Sequence, residues 1–319
     1  MGKQRLNKGR VIMTFALAVG TIVAADSLRR NFFVTPDTTI VVTGDFKGLG
    51  NSAQNNGSSV SAMSSSQQFQ QSTQGISYLG YSELAVPASS LSTGFLTLVD
   101  QTHPASDNSE SFVDLLEEKN EYYSLFTEDI VLNADAADAL NRMMQDYNAA
   151  TGLSDFVVYS TTQPHLGEDS LCPASFPESA TGYTVDLAIQ GAQKLLEYDG
   201  KDEEAWILEN CAKYGFILRY PADKASLTGQ AYCTWRLRYV GEVHAAIMTE
   251  NHLCLEEYLD WIKTYTIDTA PLQYQLDGVQ YEIYYTASMG DSTSVRIPVS
   301  GNYTISGNNS DGYVLTAVK

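Results

Sequence analysis

The chain has 319 residues and a net charge of −19, and 44% of its residues are hydrophobic. This composition predicts a globular protein with one medium domain and accessory segments, or with two small domains. Such an acidic surface excludes nucleic acid as a partner, because it repels a phosphate backbone.

The first 30 residues differ from the rest of the chain in charge and hydropathy. Four cations lie within the first ten residues and precede an apolar run from residue 11 to residue 25. A basic region followed by an apolar region is typical of an export signal. The run is short for a membrane span, which needs about 20 apolar residues. We therefore predict that residues 1–30 are a signal peptide or an N-terminal membrane anchor. The rest of the chain is then extracytoplasmic, membrane-anchored or secreted, at the cell envelope.

Two accessory segments precede the body of the protein. Residues 31–47 contain a short β-like run, and residues 48–75 are dominated by serine, glutamine, asparagine and glycine. A segment of the second kind buries too little apolar surface to offset the entropy of ordering, so it is predicted to be a flexible linker. We predict a main domain over residues 76–264 and a β-rich module over residues 265–319.

Apolar periodicity predicts mixed helices and strands in the main domain. One helix spans residues 135–150, with apolar residues at helical spacing from Leu140 to Tyr147, Asp135 as its predicted cap and Gly152 as its end. Predicted strands occupy residues 95–99, 155–160, 181–189, 216–220 and 232–240, and further helices are predicted within residues 202–215 and 242–264.

The C-terminal segment has a sequence pattern typical of β-strands. Alternating or continuous apolar runs at residues 279–285, 294–299 and 313–316 are separated by Gly, Asn and Asp turns. This pattern predicts a small β-sandwich or β-hairpin module without a catalytic motif. The sequence is compatible with a role of this module in packing and with a role in wall attachment.

The four cysteines are Cys172, Cys211, Cys233 and Cys254, and no two of them form a C-x-x-C pair. This spacing argues against a zinc knuckle or a redox motif. In an exported protein an even number of cysteines suggests disulfides. One disulfide and a set of isolated buried thiols are both compatible with the sequence.

Three segments carry a recognisable pattern. Residues 177–186 read PESATGYTVD, residues 209–221 read ENCAKYGFILRYP, and residues 232–241 read YCTWRLRYVG. They resemble the SEHxTGxxxD, ENAxxYGFxxRYP and EPWHxRYVG motifs of VanY-type D,D-/L,D-carboxypeptidases, zinc peptidases that trim peptidoglycan stem peptides. The resemblance covers roughly residues 90–264. It implies an α+β fold with an antiparallel central sheet flanked by helices, to which the chain adds the small C-terminal β module.

The resemblance also implies where the family's zinc site would lie. At the positions that match the family's His, Asp and His ligands, this chain has Ser179, Asp186 and Arg236. Asp186 is therefore the retained family ligand. A guanidinium is permanently charged and cannot coordinate zinc. The family's general base corresponds to Cys233. We expect Arg236 to form an ion pair with Asp186 in place of the metal.

The same resemblance defines a predicted binding cleft. It places Gln163 in the family's carboxylate-binding motif, where the family's Arg is missing. The predicted cleft residues are Glu178, Ser179, Thr181, Gly182, Asp186, Trp235, Arg236, Arg238 and Gln163.

Two alternatives would make this cleft a metal site or a catalytic site with residues other than the family's. In the first, His165 joins Asp186 and Cys233 as a metal ligand. In the second, Cys233 is a thiol nucleophile and His165 is its base. The remaining helical histidines, His244 and His252, are predicted to lie at the surface or at helix ends.

The leading hypothesis is a degenerate carboxypeptidase-like protein of the cell envelope that lacks peptidase activity and needs no cofactor. It would bind a peptidoglycan stem peptide or an envelope protein, and it would reach the membrane through its N-terminal segment. One alternative is an active zinc D,D-/L,D-carboxypeptidase with a non-standard ligand set. Another is an envelope adhesion or assembly module that works through the C-terminal β segment.

Overall fold

The computed structural model of the protein describes residues 80–106, 111–161 and 177–319. The predicted signal or anchor, the β-like run of residues 31–47 and the linker of residues 48–75 lie outside the described residues. Gln163, His165 and Cys172 lie outside them as well. Within the described ranges, no helix has the length and apolar character that a bilayer crossing requires.

The described residues form fourteen strands and six α-helices. The strands are β1 Tyr81–Pro87, β2 Phe112–Asp114, β3 Ser124–Leu125, β4 Val131–Asn133, β5 Phe156–Ser160, β6 Thr184–Gln190, β7 Leu195–Glu197, β8 Phe216–Tyr220, β9 Cys233–Tyr239, β10 Leu272–Leu276, β11 Val279–Ala287, β12 Ser292–Pro298, β13 Tyr303–Gly307 and β14 Gly312–Val318. The α-helices are α1 Leu115–Glu118, α2 Ala134–Thr151, α3 Ala205–Asn210, α4 Ala225–Thr228, α5 Glu242–Glu250 and α6 Leu255–Ile262. Short 3-10 helices occupy Ala88–Ser92, Pro177–Thr181, Asp202–Glu204, Cys211–Tyr214 and Ala222–Lys224.

The central sheet has the strand order β3-β5-β6-β9-β8, and β7 pairs with β6. Every pairing in it is antiparallel except the two-residue contact between β3 and β5. Helix α2 buries the predicted apolar stripe, including Leu140 and Tyr147, in the core beside this sheet. The predicted α+β fold with an antiparallel central sheet is therefore confirmed.

The ends of α2 show why helix boundaries are harder to predict than helices. The predicted stop is correct, because Gly152 takes the left-handed conformation that glycine adopts at low cost. The predicted cap is wrong by two residues. The side chain of Asn133 accepts a hydrogen bond from the backbone nitrogen of Asp135, so Asn133 is the cap.

The predicted strand at residues 95–99 is wrong, because no described strand includes this segment. Its apolar side chains are nevertheless buried, with Phe95 at 3% exposure and Leu96 at 0%. The backbone nitrogen of Leu96 donates to the hydroxyl of Ser306 at 2.9 Å, which replaces a strand partner. A short apolar run predicts burial, and it does not distinguish a buried strand from a buried turn.

The C-terminal residues form a four-stranded antiparallel sheet in the order β10-β11-β14-β13. Strand β12 instead pairs with β1 from the other end of the described chain. Alternation along β11 separates two cores, because Ile283 and Tyr285 join the main core whereas Tyr284 packs in a second cluster with Val86 and Val295. The C-terminal sheet is thus packed on the main domain.

Removing residues 266–319 should abolish cooperative folding of what remains. The deletion takes away the partner of β1, the Ser306 hydroxyl that binds the backbone of Leu96, and Thr316, which lies 2.9 Å from the buried His244. It also exposes apolar side chains of the main core. The measurement is thermal unfolding followed by circular dichroism. A truncated chain that unfolds cooperatively near the full-length Tm would contradict the prediction.

Candidate functional site

Strand register brings three polar side chains together in the central sheet. Ser160 of β5 is paired with Asp186 of β6, and Asp186 is paired with Arg236 of β9. Directly paired residues of antiparallel strands project from the same face, so the three side chains stand in a row. Asp186 and Arg236 are 50 residues apart in sequence, and the pairing of β6 with β9 brings them together.

Asp186 and Arg236 form a bidentate ion pair. Nε of Arg236 donates to Oδ1 of Asp186 and Nη2 donates to Oδ2, each at 2.7 Å. The hydroxyl of Ser160 donates to the same Oδ2 at 2.6 Å. The exposure of the pair is only 2% for Arg236 and 1% for Asp186. Burial alone would lower the pKa of Arg236, but Asp186 outweighs it and raises that pKa above its ordinary value. The expected ion pair is present.

The remaining ligand position that the resemblance implies, held by Ser179, lies at the same place. Ser179 belongs to the 3-10 helix Pro177–Thr181, which leads into β6, and its hydroxyl accepts from Nη2 of Arg236 at 3.3 Å. The structure therefore brings Ser179, Asp186 and Arg236 together, as the resemblance implies.

These residues do not fit a zinc ion. Both carboxylate oxygens of Asp186 already accept hydrogen bonds from Arg236, and a guanidinium supplies no lone pair to a metal. Catalytic zinc needs three nitrogen, sulfur or carboxylate ligands and an open position for water. Among the described residues, no group of three His, Cys, Asp or Glu side chains could hold a metal ion.

A second buried charge cluster adjoins the first and is centred on Glu178. Nε of Arg219 donates to both carboxylate oxygens of Glu178 at 2.9 Å, and Nη1 of Arg238 donates to Oε1 at 2.9 Å. The hydroxyl of Tyr220 donates to Oε2 at 3.2 Å. Glu178 is 0% exposed. Burial would raise the pKa of Glu178, but the charges of Arg219 and Arg238 outweigh it and hold that pKa below its ordinary value.

The second cluster extends to two neighbouring parts of the fold. The terminal nitrogens of Arg219 donate to Glu256 in α6, at 2.8 and 3.1 Å. Nη2 of Arg238 donates to the backbone carbonyls of Phe95 and Thr97, at 3.1 and 3.0 Å. The sequence motifs predicted Glu178 and Arg238 as site residues but not Arg219 and Glu256. The position of Arg219 within the apolar strand β8 was a signal for this cluster, because a buried cation requires an anionic partner.

Cys233, which the resemblance aligns with the family's general base, has a thiol poorly suited to acid–base chemistry. Burial raises the pKa of its thiol to about 12, although Arg236 acts in the opposite direction. Such a thiol carries almost no thiolate at neutral pH. Cys211, Cys233 and Cys254 are all free and buried. The disulfide alternative therefore does not apply to these three.

The predicted cleft residues hold one another rather than face solvent. The hydroxyl of Thr181 donates to the carbonyl of Glu178 at 2.7 Å, and Gly182 is packed so closely that a Cβ would lie 2.3 Å from the ring of Phe112. The guanidinium carbon of Arg236 lies 5.2 Å from the ring centre of Trp235. Exposure is 4% or less for Glu178, Ser179, Thr181, Asp186, Trp235, Arg236 and Arg238.

The two histidines predicted at the surface or at helix ends differ. His252 is exposed, as predicted. His244 lies in the first turn of α5, at a helix end as predicted, but it is not at the surface: the residue is 1% exposed and its ring lies between the hydroxyls of Tyr258 and Thr316. Burial lowers the pKa of His244 to about 3, so the ring is neutral at physiological pH. Its role is to join α5 and α6 to the C-terminal sheet.

The antiparallel central sheet with its flanking helices is the fold of the D-Ala-D-Ala carboxypeptidases. A family model described as VanY, D-alanyl-D-alanine carboxypeptidase, matches residues 173–242. A D-alanyl-D-alanine carboxypeptidase of Enterococcus faecium is 33% identical over 235 residues, which are 70% of this chain and 75% of that protein. The chain belongs to the VanY family of D-alanyl-D-alanine carboxypeptidases.

Two further relatives agree with this assignment. The bifunctional D-Ala-D-Ala dipeptidase and carboxypeptidase VanXYC of Enterococcus gallinarum is 29% identical over 189 residues, which are 52% of this chain and 94% of that protein. The crystal structure of the vancomycin resistance D,D-dipeptidase VanXYg, in complex with a D-Ala-D-Ala phosphinate analogue, superposes with a TM-score of 0.64 at 25% identity. The superposition covers 75% of this chain and 99% of VanXYg.

Proposed function

We propose that this protein is an exported, non-catalytic member of the VanY family that binds peptidoglycan stem peptides without hydrolysing them. One observation carries the loss of activity: Arg236 engages both carboxylate oxygens of Asp186, the one retained ligand of the family's zinc site. The relatives support a stem peptide as the ligand, because they are described as acting on D-Ala-D-Ala or binding an analogue of it.

The chemistry of the site supports the same proposal. Hydrolysis of a peptide bond by this family needs a metal-activated water and a general base. Ser179 and Arg236 offer no ligand comparable to histidine, and the thiol of Cys233 has a pKa of about 12 and so remains protonated. No cofactor is therefore part of the proposal.

The buried cleft limits how a stem peptide can be held. The carboxylates of Glu178 and Asp186 are buried and already accept hydrogen bonds from Arg219, Arg236 and Arg238, so neither carboxylate is open to a ligand. Binding therefore uses exposed groups around the clusters and the shape of the retained fold. The export signal predicted in residues 1–30 supports a location where peptidoglycan is within reach.

Purified full-length protein should contain no stoichiometric zinc and release no D-Ala from muropeptides, yet sediment with isolated peptidoglycan. The measurements are elemental analysis, a D-Ala release assay and a pulldown. Peptidoglycan stripped of its stem peptides is the matched control, and it should no longer bind. An active relative such as the Enterococcus faecium enzyme is the positive control for D-Ala release.

Two outcomes would overturn the proposal in different ways. Stoichiometric zinc that is lost in an Asp186→Ala variant, together with D-Ala release, would establish an active enzyme with an unusual ligand set. Equal binding to intact and peptide-stripped peptidoglycan, or binding to neither, would exclude the stem peptide as ligand.

A further inference from the structure

Nη2 of Arg236 occupies a position where several elements of the fold meet. It lies 2.7 Å from Oδ2 of Asp186 on β6 and 3.3 Å from the hydroxyl of Ser179 in the preceding 3-10 helix. The same Oδ2 receives the hydroxyl of Ser160 from β5, at 2.6 Å. Arg236 itself belongs to β9. Its guanidinium and Asp186 therefore connect β5, β6, β9 and the 3-10 helix.

The charges around this position are balanced within the protein. Three guanidiniums, of Arg219, Arg236 and Arg238, face the carboxylates of Glu178, Asp186 and Glu256. Five of these six side chains are 2% exposed or less, and Glu256 is 18% exposed. Buried charges of this kind are tolerated only when each has an opposite partner. Among the described residues, the three positive and three negative charges of this set balance.

We infer that Arg236 is a built-in cation that does the structural work of a bound metal ion: the fold needs no metal, because the guanidinium neutralises the buried carboxylate of Asp186. The inference deepens the proposed function, because it explains how the fold persists after the zinc ligands are replaced. Its tests concern stability and ion binding, whereas the tests of the proposed function concern peptidoglycan. The two can therefore fail separately.

The test removes the guanidinium of Arg236 by substitution and then supplies guanidinium ion in solution. Chelator should leave the Tm of the wild-type protein unchanged. Arg236→Ala should lower the Tm by about 10 °C, because it leaves a buried carboxylate without its partner. Guanidinium ion, at concentrations far below those that denature proteins, should recover part of this loss by binding beside Asp186. An equal concentration of sodium ion should not.

A matched cavity variant separates charge from volume. Leu237 is the next residue on β9 and is 0% exposed, so Leu237→Ala also leaves a buried cavity but no unpaired carboxylate. Its Tm should fall and should not recover with guanidinium ion. The double variant Asp186→Leu/Arg236→Met, which removes both charges, should be more stable than Arg236→Ala.

Each remaining outcome counts against the inference. A fall in the wild-type Tm on chelation would show that a metal ion contributes to the fold. Equal recovery of Arg236→Ala and Leu237→Ala by guanidinium ion, or recovery of neither, would exclude a guanidinium site beside Asp186. If Arg236→Ala does not fold, the double variant decides, because its failure to fold would show that the unpaired carboxylate of Asp186 is not what unfolds Arg236→Ala.

Discussion

Replacing Glu178 with glutamine should leave the protein without a folded state at neutral pH. The two side chains have nearly the same shape, so the change removes charge and little else. It leaves Arg219 and Arg238 buried against a neutral amide whose nitrogen cannot accept their hydrogen bonds. Breaking one buried ion pair costs about 3–5 kcal/mol, and Glu178 serves two guanidiniums. The total stability of a domain is about 5–15 kcal/mol.

The measurement is a urea titration of Glu178→Gln, followed by tyrosine and tryptophan fluorescence, beside an exposed control. Asp199 pairs with Lys201 at the surface, with exposures of 59% and 72%, so Asp199→Asn should unfold at the wild-type midpoint. A Glu178→Gln variant with the wild-type midpoint would show that the cluster contributes no net stability.

Acid unfolding tests the same cluster without a substitution. The pKa of Glu178 in the folded protein lies below its ordinary value of 4.5, which applies to the unfolded chain. The stability from this group is therefore complete above pH 4.5 and is lost as the pH falls through the folded-state pKa. Stability that rises as the pH falls below 4.5 would contradict this sign.

Local sequence patterns were sufficient for most of the secondary structure. The strand β8 at Phe216–Tyr220 matches its prediction residue for residue, and β9 at Cys233–Tyr239 lies one residue inside its prediction at each end. Both are apolar runs bounded by turn residues, and that signal is local. The pairing of Asp186 with Arg236, 50 residues apart, was predicted from the resemblance to the VanY motifs and not from a local pattern.

Contacts between distant parts of the chain could not be predicted in the same way. The pairing of β1 with β12 joins Tyr81 to Pro298, and no local pattern encodes such a partner. The network of Glu178 is similar, because Arg219 donates to both Glu178 and Glu256, and the strand of Arg219 and the helix of Glu256 lie next to each other only in the fold. Burial of polar residues is a tertiary property, and single-sequence patterns describe it poorly.

The triple variant Ser179→His, Cys233→Glu and Arg236→His should bind zinc stoichiometrically, whereas the wild-type protein should not. The two histidines would stand with Asp186 at one position, as the 2.7 and 3.3 Å contacts of Nη2 of Arg236 indicate. Loss of the guanidinium also frees the carboxylate of Asp186, while Ser160 continues to orient it. Two imidazoles and one carboxylate are a sufficient ligand set for zinc.

Zinc content by elemental analysis and the Tm with and without zinc are the two measurements. Without zinc the triple variant should be less stable than the wild type, because Asp186 has lost its partner. Zinc should restore the loss, because a ligand that binds only the folded state stabilises it. The matched control adds Asp186→Ala to the triple variant and should show neither zinc nor a Tm gain. A folded triple variant without zinc would mean that the backbone no longer holds the geometry of the family's metal site. The replacement of both histidines would then have been accompanied by a change in the fold around them, and Arg236 would occupy a different site from the family's metal.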